Sequence, residues 1–295
     1  MRKFSSIVRA TALEILSEPL SLLVLLAALV ITVLAPAFHY HQFGEATRMA
    51  RDAGFSALLV CGGVLAAFGT LRAFRREIES GTLEMALAHP VSRRGFFLAK
   101  TAGAAVAYLV FAAIVLSVSL TIVEGAAVGG RLASASGDIA RLWGPCLAAG
   151  LGVMVVPLVL GAVLNRFANC RFVLSAFALA ALGGAGCAAW TAFRDGLLVL
   201  RLLPVALLLV FLSLVVVAAA AAFSVRFPAA SSASAVGVVA VLLLPAVGNY
   251  CLSDALSGGG TVPWFYVGLA ALATAPAVLL FLLLGVFLMD RHDLS

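Results

Sequence analysis

Long apolar stretches without charged residues dominate the pattern of hydrophobic and polar positions in this chain. A helix needs about 20 mostly apolar residues to cross roughly 30 Å of hydrocarbon. Eight stretches of about that length occur, at residues 20–38, 53–71, 101–123, 142–164, 172–193, 202–223, 235–252 and 264–289. Strands of a membrane barrel would alternate apolar and polar positions, whereas these stretches are apolar on every face. The pattern therefore predicts an all-α membrane protein.

The predicted bundle contains six to eight transmembrane helices. The link between Arg194 and Arg201 is short, so the stretches on either side of it could form a re-entrant turn between half-spanning segments. Six full spans with re-entrant helices is therefore the alternative to eight full spans.

A line of small residues recurs at every fourth position of the fifth stretch, at Ala176, Ala180, Gly184 and Ala188. Small side chains at this spacing let a second helix approach closely. The line predicts either packing inside the bundle or contact with a second copy of the chain.

The sequence of the first 18 residues predicts an amphipathic, elbow-like helix that lies at the membrane surface before the first span. Charged residues interrupt this region, so it does not resemble a secretory signal with its continuous apolar core. Glu18 and Pro19 are expected to end the helix. Its apolar positions recur at three- and four-residue spacing, as in a surface helix, and are Phe4, Ile7, Val8, Thr11 and Ile15.

The composition supports a membrane protein. Hydrophobic residues make up 64% of the chain and charged residues 11%, against about 45–50% and about 25% in soluble domains. The net charge of +6 comes from basic residues at the ends of apolar stretches, without an aromatic-interleaved basic stripe, so no nucleic-acid partner is predicted. The five scattered cysteines form no CxxC pair and are interpreted as packing residues, so neither a metal site nor a cofactor is expected.

The distribution of Lys and Arg predicts which ends of the spans face the cytoplasm. With the N-terminus inside, 13 of the 19 basic residues fall on the cytoplasmic side. Cytoplasmic loops of membrane proteins collect Lys and Arg, so both termini are expected in the cytoplasm. The opposite side receives the other six, which are Arg48, Arg51, Arg131, Arg141, Arg194 and Arg201.

Ionisable residues are missing from the interiors of all eight stretches. Ion-coupled carriers and proton relays usually place such groups at bilayer depth. A phosphate-binding loop, which an ATPase would need, is also missing, because Arg94 and Ala99 stand where its glycines belong. The chain is therefore expected to be neither an enzyme nor an ATPase, and its energy must come from another polypeptide.

The stretch from residue 72 to residue 100 is the only long charged segment assigned to the cytoplasm. Thr82 can cap a short helix, whose apolar positions are Leu83, Met85 and Leu87, and Pro90 ends it. A helix with one apolar face and flanking charges of both signs suits docking into a groove of a partner protein.

The segment then predicts a second helix start. Gly81 allows a sharp entry into the short helix, and Ser92 is placed as the N-cap of the next one. Arg93 is expected at the membrane surface, just before the third span. The segment therefore reads as a helix, a turn and a helix restart.

This segment resembles the coupling segment of the ABC-2 type permeases, which are the membrane subunits of ATP-binding cassette exporters. One departure is Ala99, where a glycine commonly precedes the lysine. The resemblance implies a single permease domain over residues 1–295, and eight spans would exceed the family's common six. The residues that carry it are Glu77, Glu79, Gly81, Thr82, Leu83, Glu84, Leu87, Pro90, Val91, Ser92, Arg93 and Lys100.

The resemblance also implies partners. A separate P-loop ATPase subunit would bind the short helix, and a second permease copy or paralogue would complete the transporter. External loops are expected to be short, the longest spanning residues 39–52 and 124–141, which favours export over uptake from a captured substrate. The predicted ATPase-coupling interface comprises Arg75, Arg76, Glu77, Glu79, Gly81, Thr82, Leu83, Glu84, Met85, Leu87, Pro90, Ser92 and Arg93.

Two other functional classes remain open from the residues alone. A self-contained secondary carrier would transport without an ATPase and would need an essential ionisable residue in a span. A non-transporting scaffold or membrane-embedded enzyme would bind its partner without moving a cargo.

Overall fold

The computed structural model describes residues 2–35, 46–79, 92–136, 139–194, 196–251 and 262–290. Over these residues each of the eight predicted stretches is helical, which confirms the all-α prediction. The elements, in order, are α1 (Arg2–Leu16), α2 (Pro19–Leu34), α3 (Ala46–Val64), a π-helix (Leu65–Gly69), α4 (Thr70–Glu79), α5 (Arg93–Ser136), α6 (Ile139–Ala168), α7 (Phe172–Arg194), α8 (Gly196–Arg226), α9 (Ala229–Cys251) and α10 (Trp264–Asp290).

Six helices of the described residues are long and apolar enough to cross a membrane. Helices α1 and α2 meet at a bend of 65° and together would add a seventh span. The apolar part of α9, Ala230–Leu242, is shorter. The six candidate spans are Thr47–Glu77, Arg93–Ala126, Ala148–Ala168, Phe172–Arg194, Arg201–Arg226 and Trp264–Met289.

Around Arg194 and Arg201 the helix lengths favour two full spans over a re-entrant turn, while the count of six candidate spans agrees with the six-span alternative. Helices α7 and α8 each contain a candidate span, of 23 and 26 residues. At a rise of about 1.5 Å per residue, both exceed roughly 30 Å of hydrocarbon.

The structure corrects the backbone of the two predicted loops: residues 124–136 and 139–141 of the first are helical, and so is the described part of the second, residues 46–52. Helix α5 continues through Glu124 to Ser136, and α3 already begins at Ala46; residues 36–45 and 137–138 lie outside the described residues. A charged residue marks where a helix leaves hydrocarbon, but it does not end the backbone hydrogen bonding. Ala, Leu and Arg favour a helix in water as well as in lipid.

Helix α5 forms the centre of the bundle. It contacts α1, α2, α3, α6, α7, α8 and α10, and Phe111, Val115 and Val118 on it have no exposed surface. The small-residue line of α7 packs against two helices, with Gly184 in close contact with the backbone of Ile114 on α5 and Ala176 in close contact with Gly161 on α6. The line therefore serves packing inside the bundle.

The two ends of α5 define the two ends of the bundle. We name them after Lys100 and Glu124, which lie roughly 36 Å apart at 1.5 Å rise per residue. Helices α1 and α4 and the last turns of α8 and α10 meet at the Lys100 end. The last turn of α7 reaches the Glu124 end, where Arg194 pairs with Glu124 at 3.5 Å.

The N-terminal helix and its break at Glu18 and Pro19 are confirmed, but the apolar stripe of α1 is divided. Thr11 and Ile15 are 4% and 3% exposed, whereas Phe4 is 46% exposed. The buried half packs against α5, where Gly103 faces Thr11 and the carbonyl of Val8. The elbow is thus attached to the central helix of the bundle.

Gly103→Ala is expected to lower the thermal stability of the protein. The added Cβ would lie 2.7 Å from the Val8 carbonyl oxygen and 2.7 Å from Thr11 Cβ, so α1 must move away, at a cost of about 1–3 kcal/mol. Melting of the detergent-solubilised protein, followed by size-exclusion chromatography, measures the change.

Gly186→Ala in α7 is the matched control, because nothing lies within 4 Å of its added Cβ. Alanine favours a helix over glycine by about 1 kcal/mol, so this variant should melt at the wild-type temperature or higher. Equal melting of the two variants would contradict the close packing of α1 on α5.

Candidate functional site at the base of segment 72–100

The structure describes both ends of the charged segment. Residues 72–79 form most of α4, and Ser92 leads into α5, whereas residues 80–91 lie outside the described residues. Glu79 is the last residue of α4. The predicted residues Gly81, Thr82, Leu83, Glu84, Met85, Leu87 and Pro90 fall in the undescribed part. The site consists of the two helix ends that hold this part, and we call it the segment base.

Ser92 begins the return into the bundle. The backbone N–H of Gly95 donates a hydrogen bond to Ser92 Oγ, at 3.1 Å, and α5 begins at Arg93. A hydroxyl that satisfies a first-turn N–H is the usual N-cap arrangement. The prediction that Ser92 caps the second helix is confirmed.

A buried ion pair joins the two helices of the segment base. Lys100 Nζ lies 2.6 Å from Glu77 Oε2, with the lysine side chain 0% exposed and the glutamate 29% exposed. The ammonium group also lies 5.4 Å from the centre of the Phe74 ring and 5.8 Å from that of Phe96. Rings at this distance attract a cation, more strongly where water is excluded. The lysine is therefore held by one carboxylate and two aromatic faces.

Three further ion pairs attach α4 to the N-terminal helix and to Glu18, two residues beyond its end. Arg72 Nε lies 3.2 Å from Glu18 Oε1, and Arg76 Nη1 lies 3.5 Å from Glu14 and 3.6 Å from Glu18. Both arginine side chains are more than half exposed. Exposed pairs contribute about 0–1 kcal/mol each, so these contacts orient α1 and α4 more than they stabilise them.

An apolar cluster connects the segment base to the last turns of α8 and α10. The rings of Phe74 and Phe97 lie 5.6 Å apart and pack with Ala221, Val225 and Met289. These residues are nearly inaccessible to solvent. One rigid cluster therefore holds four helices together below the segment.

Arg75 extends the same connection to the turn after α8. Its Nη2 donates a hydrogen bond to the backbone carbonyl of Phe227, at 3.2 Å. The carbonyls at a helix C-terminus have no partner within the helix, and this one accepts from the Arg75 guanidinium and also from Ser232 Oγ, at 3.0 Å. Arg75, Arg76 and Glu77, three members of the predicted interface, thus all contact groups of this chain.

The predicted interface omitted Lys100, Glu14 and Glu18, although Lys100 was among the residues that carry the family resemblance. Lys100 begins an apolar stretch and was expected at its end, whereas it lies inside α5 without exposed surface. The available signal was charge complementarity between two glutamates near the end of α1 and the arginines of α4. Spacing within one helix does not reveal such pairs, because they join elements distant in sequence.

A π-helix precedes the segment base on the same span. Its residues, Leu65–Gly69, follow α3 directly and lead into α4. π-Helical turns within α-helices often accompany functional sites. Gly69 faces the Ile15 side chain of α1 closely. A cavity of about 360 Å³ borders this turn, with an almost wholly apolar wall from α3, α8 and α9 and one hydroxyl, from Ser213.

The Glu124 end holds a second charged group. Glu124 is 5% exposed and pairs with Arg194, whose guanidinium lies 5.5 Å from the Trp190 ring centre. A cavity of about 490 Å³ next to it is lined by Cys146 and Cys187, among others. Both are free thiols. Among the described residues, no three His, Cys, Asp or Glu side chains are placed to hold a metal ion.

The fold and its charged segment base define a multi-pass α-helical integral membrane protein. The sequence matches the profile of the ABC-2 family transporter proteins over residues 16–184, more than half of the chain. The protein belongs to this family and is a permease-type transport component. The match extends from the end of α1 into α7, and of the helices that the structure describes, α8, α9 and α10 lie beyond it.

The other comparisons add no relative. No curated protein matches the chain, and no solved structure matches it. The family assignment therefore rests on the profile match and on the residues of segment 72–100.

Proposed function

We propose that this protein is the permease subunit of an ATP-binding cassette exporter in the cytoplasmic membrane, driven by a separate ATPase subunit. It would work with a second permease copy or a paralogue. The short helix predicted at residues 82–89 would dock into a groove of the ATPase. The observation that carries the proposal is the segment base, which connects both ends of the docking segment to α1, α8 and α10.

The charge distribution supports a cytoplasmic Lys100 end. This end gathers the basic side chains of α4 and the start of α5, together with Arg226 near Phe227. Because cytoplasmic ends of spans collect Lys and Arg, the segment would face the compartment that supplies ATP. Both chain termini would lie on the same side.

The proposed mechanism is mechanical. Closure of two ATPases on ATP would push the docked helices. This force would reach α4 and α5 through the packed and ion-paired residues of the segment base. The spans would then rock between openings on opposite sides of the membrane. The apolar cavity beside the π-helix favours an amphipathic or lipid-like cargo.

Replacing both Leu83 and Leu87 by Asp is expected to abolish copurification of the ATPase. Two carboxylates on the apolar face of the docking helix would have to be buried without partners, which costs far more than a single contact contributes. Affinity purification of the tagged protein from mildly solubilised native membranes, with mass spectrometry of bound proteins, measures the loss.

Leu83→Met with Leu87→Met is the matched control, because it keeps the face apolar at similar volume and should retain the ATPase. Retention of the ATPase by the aspartate variant would refute docking through this helix. A wild-type protein that never recovers a P-loop ATPase would refute the subunit proposal and favour a self-contained carrier or a scaffold.

A further inference from the structure

We propose that the Lys100–Glu77 pair is the joint that transmits movement of segment 72–100 to the membrane-spanning helices, with Lys100 and Glu77 as positioning residues. This inference rests on the proposed function and assigns it a specific pair. Glu77 lies three residues before the undescribed stretch 80–91, and Lys100 lies nine residues after it. The pair therefore closes the segment at its base.

The location of the pair makes it a joint between spans. Glu77 ends the candidate span Thr47–Glu77, and Lys100 lies in the next one, Arg93–Ala126. Between them the backbone passes through the whole segment, so the 2.6 Å ion pair is a direct cross-connection at the base. A force on the segment would act on both spans together, because this contact prevents them from separating.

The surroundings of the pair fit transmission better than stability. Phe74 and Phe96 enclose the ammonium, and the cluster of Phe74 and Phe97 continues into α8 and α10. Buried pairs contribute little net stability compared with apolar residues of similar volume, and their best-attested use is to fix an arrangement. An apolar pair could pack the same space, whereas the charged pair fixes one register of α4 against α5.

The π-helix is the position at which the span would bend when the segment base is pushed. Leu65–Gly69 separates α4 from α3 on one continuous span. The i to i+5 hydrogen bonding of a π-helix is a local departure from the regular helix and commonly marks a functional position. The base below it is cross-connected to α1, α5, α8 and α10, so a push would change the span at the π-helix.

The double variant Glu77→Gln with Lys100→Met tests the proposal. It removes both charges, so neither is left buried alone, and it should fold. Glu77 was predicted at the ATPase interface but pairs with Lys100 of this chain, so docking through the helix at residues 82–89 should retain the ATPase. The readout is modification of Cys146 and Cys187 by a maleimide, located by peptide mass spectrometry, in the purified complex with and without ATP and vanadate. These thiols are 8% exposed and lie at the opposite end of the bundle.

In the wild-type complex we expect nucleotide to change the modification rate of these thiols several-fold. In the double variant the change should disappear although the melting temperature and the bound ATPase remain. Cys170, an exposed thiol in the turn after α6, is the internal standard and should react equally in all states. This combination separates loss of transmission from loss of folding.

The pair of Arg51 and Asp52 supplies the matched control. Its side chains lie 3.0 Å apart and are 8% and 31% exposed, close to the 0% and 29% of the Lys100–Glu77 pair. Both belong to α3, so this pair joins no separate spans. Arg51→Gln with Asp52→Asn should keep the nucleotide response.

Two results would overturn the inference: thiols in the wild-type complex that do not respond to nucleotide, or a double variant that responds as the wild type does. If the double variant fails to fold, Glu77→Asp replaces it. This variant keeps both charges but shortens the reach by one methylene, so it should weaken the response, and an unchanged response would refute the joint. Failure of the proposed function is a separate outcome, in which no ATPase accompanies the wild type.

Discussion

Glu77→Gln is expected to destabilise the protein far more than Lys100→Met, although the two residues form one ion pair. The difference follows from what each change leaves behind. Without the carboxylate, an ammonium group with 0% exposure loses its partner, and such a loss costs about 3–5 kcal/mol. Without the ammonium, the Glu77 side chain is still 29% exposed, so its charge is buried less deeply than that of the lysine.

Lys100→Met should therefore cost about 1 kcal/mol or less, in the range of an exposed pair. The methionine side chain also fits between Phe74 and Phe96, where sulfur contacts aromatic rings favourably. Thermal melting of both single variants and of the double variant in the same detergent measures the order. The expected order of stability places Glu77→Gln lowest and the double variant near the wild type.

The double variant is the control for this interpretation. Adding Lys100→Met to Glu77→Gln removes the uncompensated charge, so it should restore most of the lost stability. Equal destabilisation by the two single changes would show that burial of the remaining charge does not decide the cost. A double variant that melts below both singles would contradict the account of the pair.

Phe97→Ala is expected to cause the second large loss of stability. Phe97 is 0% exposed, and its ring fills the space beside Gly285 of α10, where an added Cβ would overlap it. Removing a buried phenyl ring costs about 3–5 kcal/mol, from lost burial and from the cavity that remains. The loss should loosen α10 from the segment base, and melting with limited proteolysis measures both effects.

Phe193→Ala removes the same atoms from a side chain that is 90% exposed in the isolated chain. In a membrane this ring contacts lipid or a partner, so its loss should leave the melting temperature of the detergent-solubilised protein nearly unchanged. Similar losses from the two variants would indicate that Phe97 is not part of a packed core. Restoration of Phe97→Ala by Gly285→Ala would support the close contact further, because the added methyl group fills part of the space.

The sequence alone determined the class of the fold. Eight apolar stretches predicted helices that the structure confirms wherever it describes them. This succeeded because lipid leaves a backbone no alternative to internal hydrogen bonding, so length and hydropathy suffice. The motif in segment 72–100 indicated the family that the profile match then showed. The N-cap at Ser92 and the helix break at Glu18 and Pro19 also depend only on residues adjacent in sequence, and both are confirmed.

Helix ends and span lengths were less accessible to sequence reasoning. The predicted loop at residues 124–141 is mostly helix over its described residues, because α5, a helix of 44 residues, continues to Ser136, beyond the apolar stretch that ends at residue 123. Hydropathy reports where a helix leaves the membrane, whereas backbone hydrogen bonds decide where it ends. The π-helix at Leu65–Gly69 had no signal in the pattern of residues.

Only the tertiary structure decided which charges meet. Lys100 looked like the polar end of an apolar stretch, and Glu77 like one charge among several in an exposed segment. Their 2.6 Å contact depends on how α4 packs beside α5, and the aromatic rings around the lysine come from both helices. Such a pair joins residues separated by a whole segment, so no local periodicity encodes it. Hydrophobic pattern is a property of one helix, whereas burial of a charge is a property of the helices packed around it.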